Sequence, residues 1–213
     1  MRSGLYAIAD ADACRRAGRP LEATARALLA ARPALLQLRW KGAPGGPFLA
    51  LVEALLPEAR AAGVPLIVND RVDVAALAGA DGVHLGQDDL PVAEARALLP
   101  AGALVGLSTH DPAQVRAGVA ARPDYLGFGP IFPTGSKALP DPVVGLEGLR
   151  EAVALAGALP VVAIGGIGRE ALPSLREAGA RTVALISELL GEADEDLAAR
   201  AAGLERHFLE GSA

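Results

Sequence analysis

Charged side chains follow several short apolar runs of this chain, at positions where they could act on a phosphorylated ligand. Asp70 and Asp89 stand at or just after such runs, and Arg39, Lys41 and Lys137 follow two others. Mg²⁺ takes oxygen ligands, often one or two carboxylates together with phosphate oxygens and water. If parallel strands bring these positions to one rim, the set suits a Mg²⁺-bound diphosphate.

A second group of residues suits a single phosphate. Gly165, Gly166 and Gly168 lie between an apolar run and a helical stretch, where glycines leave backbone N–H groups accessible to an anion. In barrels of alternating strands and helices, phosphate is frequently bound after strands seven and eight. Tight turns also require glycine for steric reasons alone, so the glycines indicate a monophosphate site only in the context of a barrel.

The two carboxylates have an alternative interpretation as helix caps. Asn69–Asp70 precedes a helical stretch that begins at Val72, and Asp88–Asp89 precedes Pro91. Aspartate is a preferred N-cap residue because its side chain accepts a hydrogen bond from a backbone N–H of the first turn. For each carboxylate taken singly, both interpretations stay open.

Four further side chains allow a functional and a structural interpretation. Lys137 lies in a Pro- and Gly-bounded segment that is long for a strand-to-helix connection, and we interpret it as part of a lid rather than as a solvated lysine. His84 lies inside a strand, where a histidine is typically a barrel residue whose ring nitrogens are hydrogen-bonded. His110, at a strand end, is the better acid–base candidate. Trp40 could stack on a flat ring, but packing beneath a loop is favoured.

The side chains named above can meet at one rim only if the fold brings them together. Short strands alternate with longer helical stretches along the chain, which is typical of βα units on a parallel sheet. The predicted strands are Leu5–Asp10, Leu35–Trp40, Leu66–Asp70, Gly82–Gly86, Leu104–His110, Tyr125–Ile131, Val161–Ile167 and Thr182–Ser187. The predicted helices are Leu21–Ala31, Phe48–Ala62, Val72–Ala78, Pro91–Leu99, Pro112–Ala121, Leu146–Ala156, Arg169–Ala178 and Asp194–Leu209. Eight units favour an α/β fold of the (β/α)8 TIM-barrel type over an open α/β sheet.

The composition limits the class of protein. The chain has 213 residues without an evident linker, so we expect one barrel domain over residues 1–213. Its apolar runs are far shorter than the roughly 18 residues of a membrane span. A formal net charge of −5 and an aromatic content of 3% disfavour nucleic-acid binding. The single cysteine, Cys14, excludes an internal disulfide. We expect a cytoplasmic protein with small phosphorylated substrates; barrels of this size often form homo-oligomers, although the sequence reveals no interface.

The residues above give the chain a resemblance to the thiamine phosphate synthase family, from Leu5 to Ser187. The matching segments are Gln37–Lys41, Asn69–Asp73, Gly82–Asp89, Ser108–His110, Gly127–Thr134 and Ala163–Ile167. The resemblance implies a (β/α)8 fold and Mg²⁺ as cofactor. It also implies transfer of the hydroxymethylpyrimidine group from its diphosphate to the nitrogen of hydroxyethylthiazole phosphate, which forms thiamine phosphate and releases pyrophosphate.

The resemblance further implies a role for each matching residue. Mg²⁺ would be bound by Asp70 and Asp89, and the pyrimidine would be bordered by Gln37 and His84. The diphosphate would be held by Arg39, Lys41, Asn69 and Lys137. The thiazole phosphate would be bound by Thr134, Ser136, Gly166, Ile186 and Ser187. Ser108 would lie near the reacting centre, where the pyrimidine and the pyrophosphate are both open as its partner. The candidate catalytic residues are Lys137, Ser108 and Arg39.

Two departures from the family pattern keep alternatives open. Trp40 stands where an acidic residue is usual, and Ser136 stands where a second threonine is common. A related thiazole tautomerase shares the barrel and the thiazole-phosphate site, and has a histidine where His110 falls. It needs no Mg²⁺-diphosphate site, so Lys41 and the carboxylates favour the synthase. A non-catalytic thiamine-phosphate-binding barrel is a third alternative, and the same charged residues argue against it.

Overall fold

Eight parallel strands close into a barrel in the computed structural model of the chain, which describes residues 1–134, 142–192 and 195–210. Each strand pairs with its neighbours in the chain, and the last pairs with the first to complete the ring. The strands are β1 (Gly4–Asp10), β2 (Leu35–Arg39), β3 (Leu66–Asn69), β4 (Gly82–Leu85), β5 (Leu104–Thr109), β6 (Tyr125–Phe128), β7 (Val161–Ile164) and β8 (Thr182–Leu185). The predicted (β/α)8 barrel is confirmed.

Helices of the described residues connect and surround these strands. They are α1 (Ala11–Arg16), α2 (Leu21–Ala30), α3 (Gly45–Ala62), α4 (Val72–Ala78), α5 (Val92–Leu98), α6 (Pro112–Ala121), α7 (Gly145–Ala156), α8 (Leu172–Glu177), α9 (Ser187–Leu190) and α10 (Leu197–Glu210). Sequence reasoning missed the short helices α1 and α9. The side chain of Asp10 caps α1 by accepting a hydrogen bond from the Ala13 N–H at 2.8 Å. None of the described helices is long and apolar enough to cross a membrane.

Seven of the eight strands end one to three residues before the predicted boundary. The strand predicted as Val161–Ile167 ends at Ile164, because Gly165 and Gly166 adopt φ values of +97° and +65°, which are outside the extended region. The helix predicted to begin at Arg169 starts as a 3-10 turn, Arg169–Ala171, and continues as α8. Asp70, Gly166 and Ile186 at the rim therefore lie on loops, whereas Arg39, Asn69 and Ser108 stay within the strands.

Most of the buried side chains form two layers, because neighbouring residues of a strand point to opposite faces. The larger layer lies between the sheet and the helices and includes Leu36, Val68 and Leu126. The smaller layer fills the barrel itself and consists of Tyr6, Ile8, Leu35, Ile67, Tyr125, Val162 and Ala184. Four of these inner residues form the floor of the cavity at the rim, namely Tyr6, Ile8, Val162 and Ala184.

Glu205 on α10 ties this helix to the amino-terminal end of β1. Its Oε1 accepts hydrogen bonds from Arg2 Nη1 at 3.1 Å and from the Leu5 N–H at 3.3 Å. Gly4 allows this approach, since a Cβ atom there would lie 2.3 Å from the same oxygen. Burial raises the pKa of the Glu205 carboxyl above its ordinary value, against the smaller opposing effects of these partners.

The raised pKa of Glu205 gives a prediction on stability. The group favours the folded state at pH below its unfolded pKa, and this contribution is lost as the pH rises through the folded pKa. We therefore expect Glu205→Gln to gain stability relative to the wild type as the pH rises from acidic to neutral. Urea unfolding of both proteins over this pH range measures the difference.

A control of opposite sign is available on α4. Hydrogen bonding to Arg71 lowers the pKa of the Asp73 carboxyl, so Asp73→Asn is expected to lose stability at neutral pH, and the loss should shrink as the pH falls. A difference between Glu205→Gln and wild type that does not change with pH would contradict the assignment of Glu205.

Candidate functional site

The carboxyl ends of the strands surround one cavity of ≈ 470 Å³. Twelve of the fourteen predicted site residues lie in the described part of the chain, and all twelve line this cavity. They are Gln37, Arg39, Lys41, Asn69, Asp70, His84, Asp89, Ser108, Thr134, Gly166, Ile186 and Ser187. The other two, Ser136 and Lys137, lie outside the described residues, as does most of the segment predicted to form a lid. The predicted rim is thus a single concave surface.

The carboxylates of Asp70 and Asp89 are neighbours in this cavity. Asp70 follows β3 with a φ of +61°, and its Oδ2 lies 2.6 Å from Lys41 Nζ. Asp89 Oδ2 accepts a hydrogen bond from the Gly86 N–H at 2.7 Å. Burial raises the pKa of Asp89, and the charge of Asp70 raises it further, whereas the Gly86 N–H opposes the shift. Two close carboxylates repel each other, so the arrangement favours a bound cation.

The capping interpretation of these aspartates is wrong. The N-cap residue of α4 is Arg71, and that of α5 is Pro91, and neither helix has a side-chain cap. The Asp70 backbone N–H instead donates to the His84 carbonyl at 2.8 Å, which fixes Asp70 against the neighbouring strand end. The sheet register, not helix capping, therefore places this carboxylate.

The donor set suits a hard cation with few protein ligands. The described residues contain no cluster of three or more His, Cys, Asp or Glu side chains that could hold a metal ion by themselves. Mg²⁺ is commonly bound by one or two carboxylates, with substrate phosphates and water completing its coordination, whereas a zinc site needs three or four protein ligands. Asp70 and Asp89 fit the first pattern.

Arg39 is held by a partner that the sequence analysis did not single out. Asp10, at the end of β1, forms an ion pair with Arg39 at the end of β2. Only 6% of the Asp10 side chain and 17% of the Arg39 side chain are exposed. The pair positions the guanidinium at the cavity. The signal in the sequence is only that both residues end neighbouring strands.

A chain of hydrogen bonds crosses the barrel beneath the cavity. Gln37 Nε2 donates to the Tyr6 hydroxyl at 2.6 Å, and this hydroxyl lies 2.9 Å from that of Tyr125. His84 Nδ1 lies 3.1 Å from the Tyr125 hydroxyl, and His84 Nε2 lies 2.9 Å from Ser108 Oγ. His84 is therefore a half-buried, hydrogen-bonded strand residue, and it also lines the cavity. Sequence reasoning missed both tyrosines, whose only signal is a polar atom within an apolar strand.

Glycines shape the opposite side of the cavity, after β7. A Cβ atom on Gly166 would lie 2.4 Å from the Pro133 carbonyl oxygen and 2.6 Å from that of Phe132. The Phe132 N–H donates to the Gly165 carbonyl at 3.0 Å. The loop after β7 therefore packs against the loop after β6, and only glycine fits at 166. This contact brings the Thr134 segment next to the glycine loop.

The loop after β8 is held from outside the barrel. Ser187 is the first residue of α9. Arg200 on α10 donates to the Glu188 carbonyl and forms an ion pair with the Glu188 carboxylate at 2.7 Å. The position of Ser187 at the cavity thus depends on a distant arginine that sequence reasoning did not identify.

Trp40 and His110 are the two remaining residues for which the sequence left open interpretations. Trp40 packs against the core beside Phe48, with ring centroids 6.1 Å apart and ring planes 66° apart, so the packing interpretation is confirmed. His110 lines the cavity, and its Nδ1 lies 2.6 Å from the Gly129 carbonyl oxygen. A carbonyl only accepts hydrogen bonds, so His110 carries a proton on Nδ1.

Comparison with known proteins finds relatives that cover most of this chain. The family model for thiamine monophosphate synthase matches residues 5–189, which include every cavity residue named above. A thiamine-phosphate synthase of Anaeromyxobacter dehalogenans is 47% identical over 92% of this chain and 84% of its own length. One of Syntrophomonas wolfei is 41% identical over 92% of each chain. The solved structure of a thiamine phosphate pyrophosphorylase from Pyrococcus furiosus is 32% identical, covers 97% of this chain and 96% of its own, and has a TM-score of 0.85.

Proposed function

The chain belongs to the thiamine monophosphate synthase family, and we propose that its cavity holds a Mg²⁺-bound diphosphate on one side and the acceptor phosphate on the other. The enzyme transfers the hydroxymethylpyrimidine group from its diphosphate to the thiazole nitrogen of hydroxyethylthiazole phosphate, forming thiamine phosphate and pyrophosphate. The neighbouring carboxylates of Asp70 and Asp89 beside Lys41 carry the proposal, because they favour a cation at one side of the cavity. No observation favours the tautomerase or the non-catalytic barrel over this activity.

The donor side of the cavity lies over β2 to β4. Asp70 and Asp89 would hold Mg²⁺, which when bound would neutralise negative charge on the departing pyrophosphate. Lys41, Arg39 and Asn69 lie on the same side and would hold the diphosphate oxygens, and Lys137 would join them. Arg39 is already oriented by Asp10, so it need not be ordered when substrate binds. This preorganisation favours the charge distribution of the transition state.

The acceptor side lies over β6 to β8. Gly166 and Ser187 would present backbone N–H groups to the thiazole phosphate, as phosphate sites of such barrels commonly do. Thr134 and Ile186 line the same side, and Ser136 would add a hydroxyl. Because this side lies across the cavity from the carboxylates, the thiazole ring of a bound acceptor would face the pyrimidine.

The reaction requires little proton transfer by side chains of the protein. As the bond between the pyrimidine methylene and the diphosphate oxygen breaks, positive charge develops on the methylene carbon and the electron pair leaves with pyrophosphate. The thiazole nitrogen then donates its own electron pair to that carbon, so no general base is required. Lys41, Arg39 and Lys137 would act by stabilising negative charge on the leaving group. His84 would border the pyrimidine, and Ser108 would bind either the pyrimidine or the diphosphate.

The direct test supplies the purified protein with Mg²⁺, the pyrimidine diphosphate and the thiazole phosphate. We expect thiamine phosphate and pyrophosphate in equal amounts, and no thiamine phosphate when the thiazole phosphate is left out. Chelation of the metal should abolish turnover and restoration of Mg²⁺ should recover it. A folded protein that forms no product would contradict the synthase assignment. Full activity in the presence of chelator would contradict only the proposal that the cavity binds Mg²⁺.

Other properties remain predictions of the sequence. We propose that residues 1–213 form one barrel domain that acts in the cytoplasm on small phosphorylated substrates, without nucleic-acid or membrane partners. Homo-oligomer formation is proposed on barrel size alone. Light scattering of the purified protein measures its oligomeric state directly.

A further inference from the structure

The hydrogen-bond chain beneath the cavity begins at a nitrogen that can only donate, and this end fixes the direction of the chain. It runs from Gln37 through Tyr6 and Tyr125 to His84 and ends at Ser108. Each tyrosine hydroxyl is fully buried and has one hydrogen to donate. Burial raises the pKa of both phenols far above the neutral range, so both hydroxyls keep this hydrogen.

The direction is set at the Gln37 end. The Gln37 amide nitrogen is a donor only, so the Tyr6 oxygen accepts from it. Tyr6 must then use its own hydrogen towards Tyr125, its other partner. Tyr125 in turn accepts from Tyr6 and directs its hydrogen to His84 Nδ1. An imidazole nitrogen that accepts a hydrogen bond carries no proton, so the His84 proton lies on Nε2, facing Ser108.

We infer that Tyr6 and Tyr125 are positioning residues that hold His84 as the Nε2–H tautomer and thereby make Ser108 a hydrogen-bond donor to the pyrimidine diphosphate. Ser108 Oγ accepts from His84 Nε2 at 2.9 Å, which leaves the hydroxyl hydrogen to point into the cavity that Ser108 lines. The role as donor holds whether its partner is a ring nitrogen or a diphosphate oxygen, since both only accept. The identity of the ligand that Ser108 binds rests on the proposed function, whereas the tautomer of His84 does not.

Packing inside the barrel fixes the rings of His84, Tyr125 and Tyr6 in these positions. The rings of His84 and Tyr125 are stacked, with centroids 5.5 Å apart and planes 24° apart. A Cβ atom on Gly106 would lie 2.2 Å from the Tyr125 ring and 2.5 Å from His84 Nδ1, and one on Gly127 would lie 3.2 Å from His84 Cε1. Glycine at these two strand positions therefore leaves the space that both rings occupy. Tyr6 meets the Tyr125 ring edge to face at 5.8 Å, which fixes the other end.

Nitrogen NMR of the protein with isotope-labelled histidine tests the tautomer without any substrate. Above the ordinary titration range of histidine, we expect an unprotonated Nδ1 and a protonated Nε2 for His84. His110 is an internal control, because its Nδ1 faces the Gly129 carbonyl and must be protonated. The spectra of His84→Gln and His110→Gln assign the signals. A proton on His84 Nδ1 would overturn the inference, because it would show that His84 donates to the Tyr125 hydroxyl instead of accepting from it.

Tyr125→Phe tests what the tyrosines do for the substrate. This variant removes the hydrogen donated to His84 Nδ1, so the Nδ1–H tautomer of His84 should become populated. We expect the KM for the pyrimidine diphosphate to rise roughly threefold to tenfold, whereas the KM for the thiazole phosphate should not change. A purely structural role would change both KM values, or neither, and would leave the His84 tautomer as it is.

Tyr6→Phe separates the two tyrosines. It removes the group that orders the Tyr125 hydroxyl but leaves that hydroxyl able to donate to His84, so its effect on the tautomer should be the smaller one. An equal or larger effect of Tyr6→Phe would contradict the stated order of the chain. If the wild type shows the expected tautomer but makes no thiamine phosphate, the proposed function fails and the hydrogen-bond direction stands.

Discussion

Replacing Asp89 by asparagine is expected to lower turnover at least roughly tenfold and to raise the Mg²⁺ concentration needed for half-maximal activity. Asparagine keeps an oxygen that can accept from the Gly86 N–H, so the turn after β4 should persist. What it removes is one of two neighbouring charges that favour the cation. Steady-state kinetics over a series of Mg²⁺ concentrations separates weaker metal binding from slower chemistry.

The matched control for Asp89→Asn is Glu94→Gln on α5. Glu94 is an exposed carboxylate on the helix that follows Asp89 and is not among the described residues that line the cavity. Removing its charge should leave both turnover and Mg²⁺ dependence unchanged. Wild-type rates for Asp89→Asn at every Mg²⁺ concentration would show that the metal site has been placed wrongly.

Replacing Gly166 by alanine is expected to raise the KM for the thiazole phosphate by roughly tenfold to a hundredfold, because displacing a binding loop by about 1 Å has effects of this order. The added Cβ atom would meet the Phe132 and Pro133 carbonyl oxygens at 2.6 and 2.4 Å, so the loops after β6 and β7 must separate. The diphosphate side lies across the cavity, so the KM for the pyrimidine diphosphate should stay near its wild-type value.

Gly63→Ala controls for backbone strain alone. Gly63 ends α3 with a φ of +68°, close to the +65° of Gly166, but a Cβ atom there would have no neighbour within 4 Å. Both variants should lose about 1 kcal/mol of stability from the left-handed conformation, and only Gly166→Ala should lose affinity for the thiazole phosphate. Equal kinetics for the two variants would contradict the phosphate site at Gly166.

The sequence predicted the fold because the alternation of strands and helices is a local pattern. Each apolar run and each helical stretch could be recognised by itself, and eight repeats of the unit are typical of a closed barrel. The short helices α1 and α9 were not predicted, because they have only six and four residues and no apolar periodicity of their own. The predicted end of β7 was wrong, because the conformations of Gly165 and Gly166 depend on packing against Pro130 and Pro133.

The candidate site could be predicted from strand ends, whereas its internal contacts could not. Parallel strands joined by crossover helices present all their carboxyl ends at one rim, so residues as distant as Gln37 and Ser187 were expected to meet there. Nothing local pairs Asp10 with Arg39, since that ion pair depends on the register of β1 against β2. Asp70 likewise has the sequence pattern of a helix cap, but the N-cap residue is Arg71, and the Asp70 backbone N–H donates to the His84 carbonyl.

The sequence by itself determined the barrel and the residues of its rim, because residue type and chain period fix these. Only the tertiary structure decided how those residues act on one another. Tyr6 and Tyr125 are 119 positions apart, and their hydroxyls meet only because the barrel closes around them. The neighbouring charges of Asp70 and Asp89 and the direction of hydrogen bonding towards Ser108 arise from that closure, since both require groups from different strands at hydrogen-bonding distance.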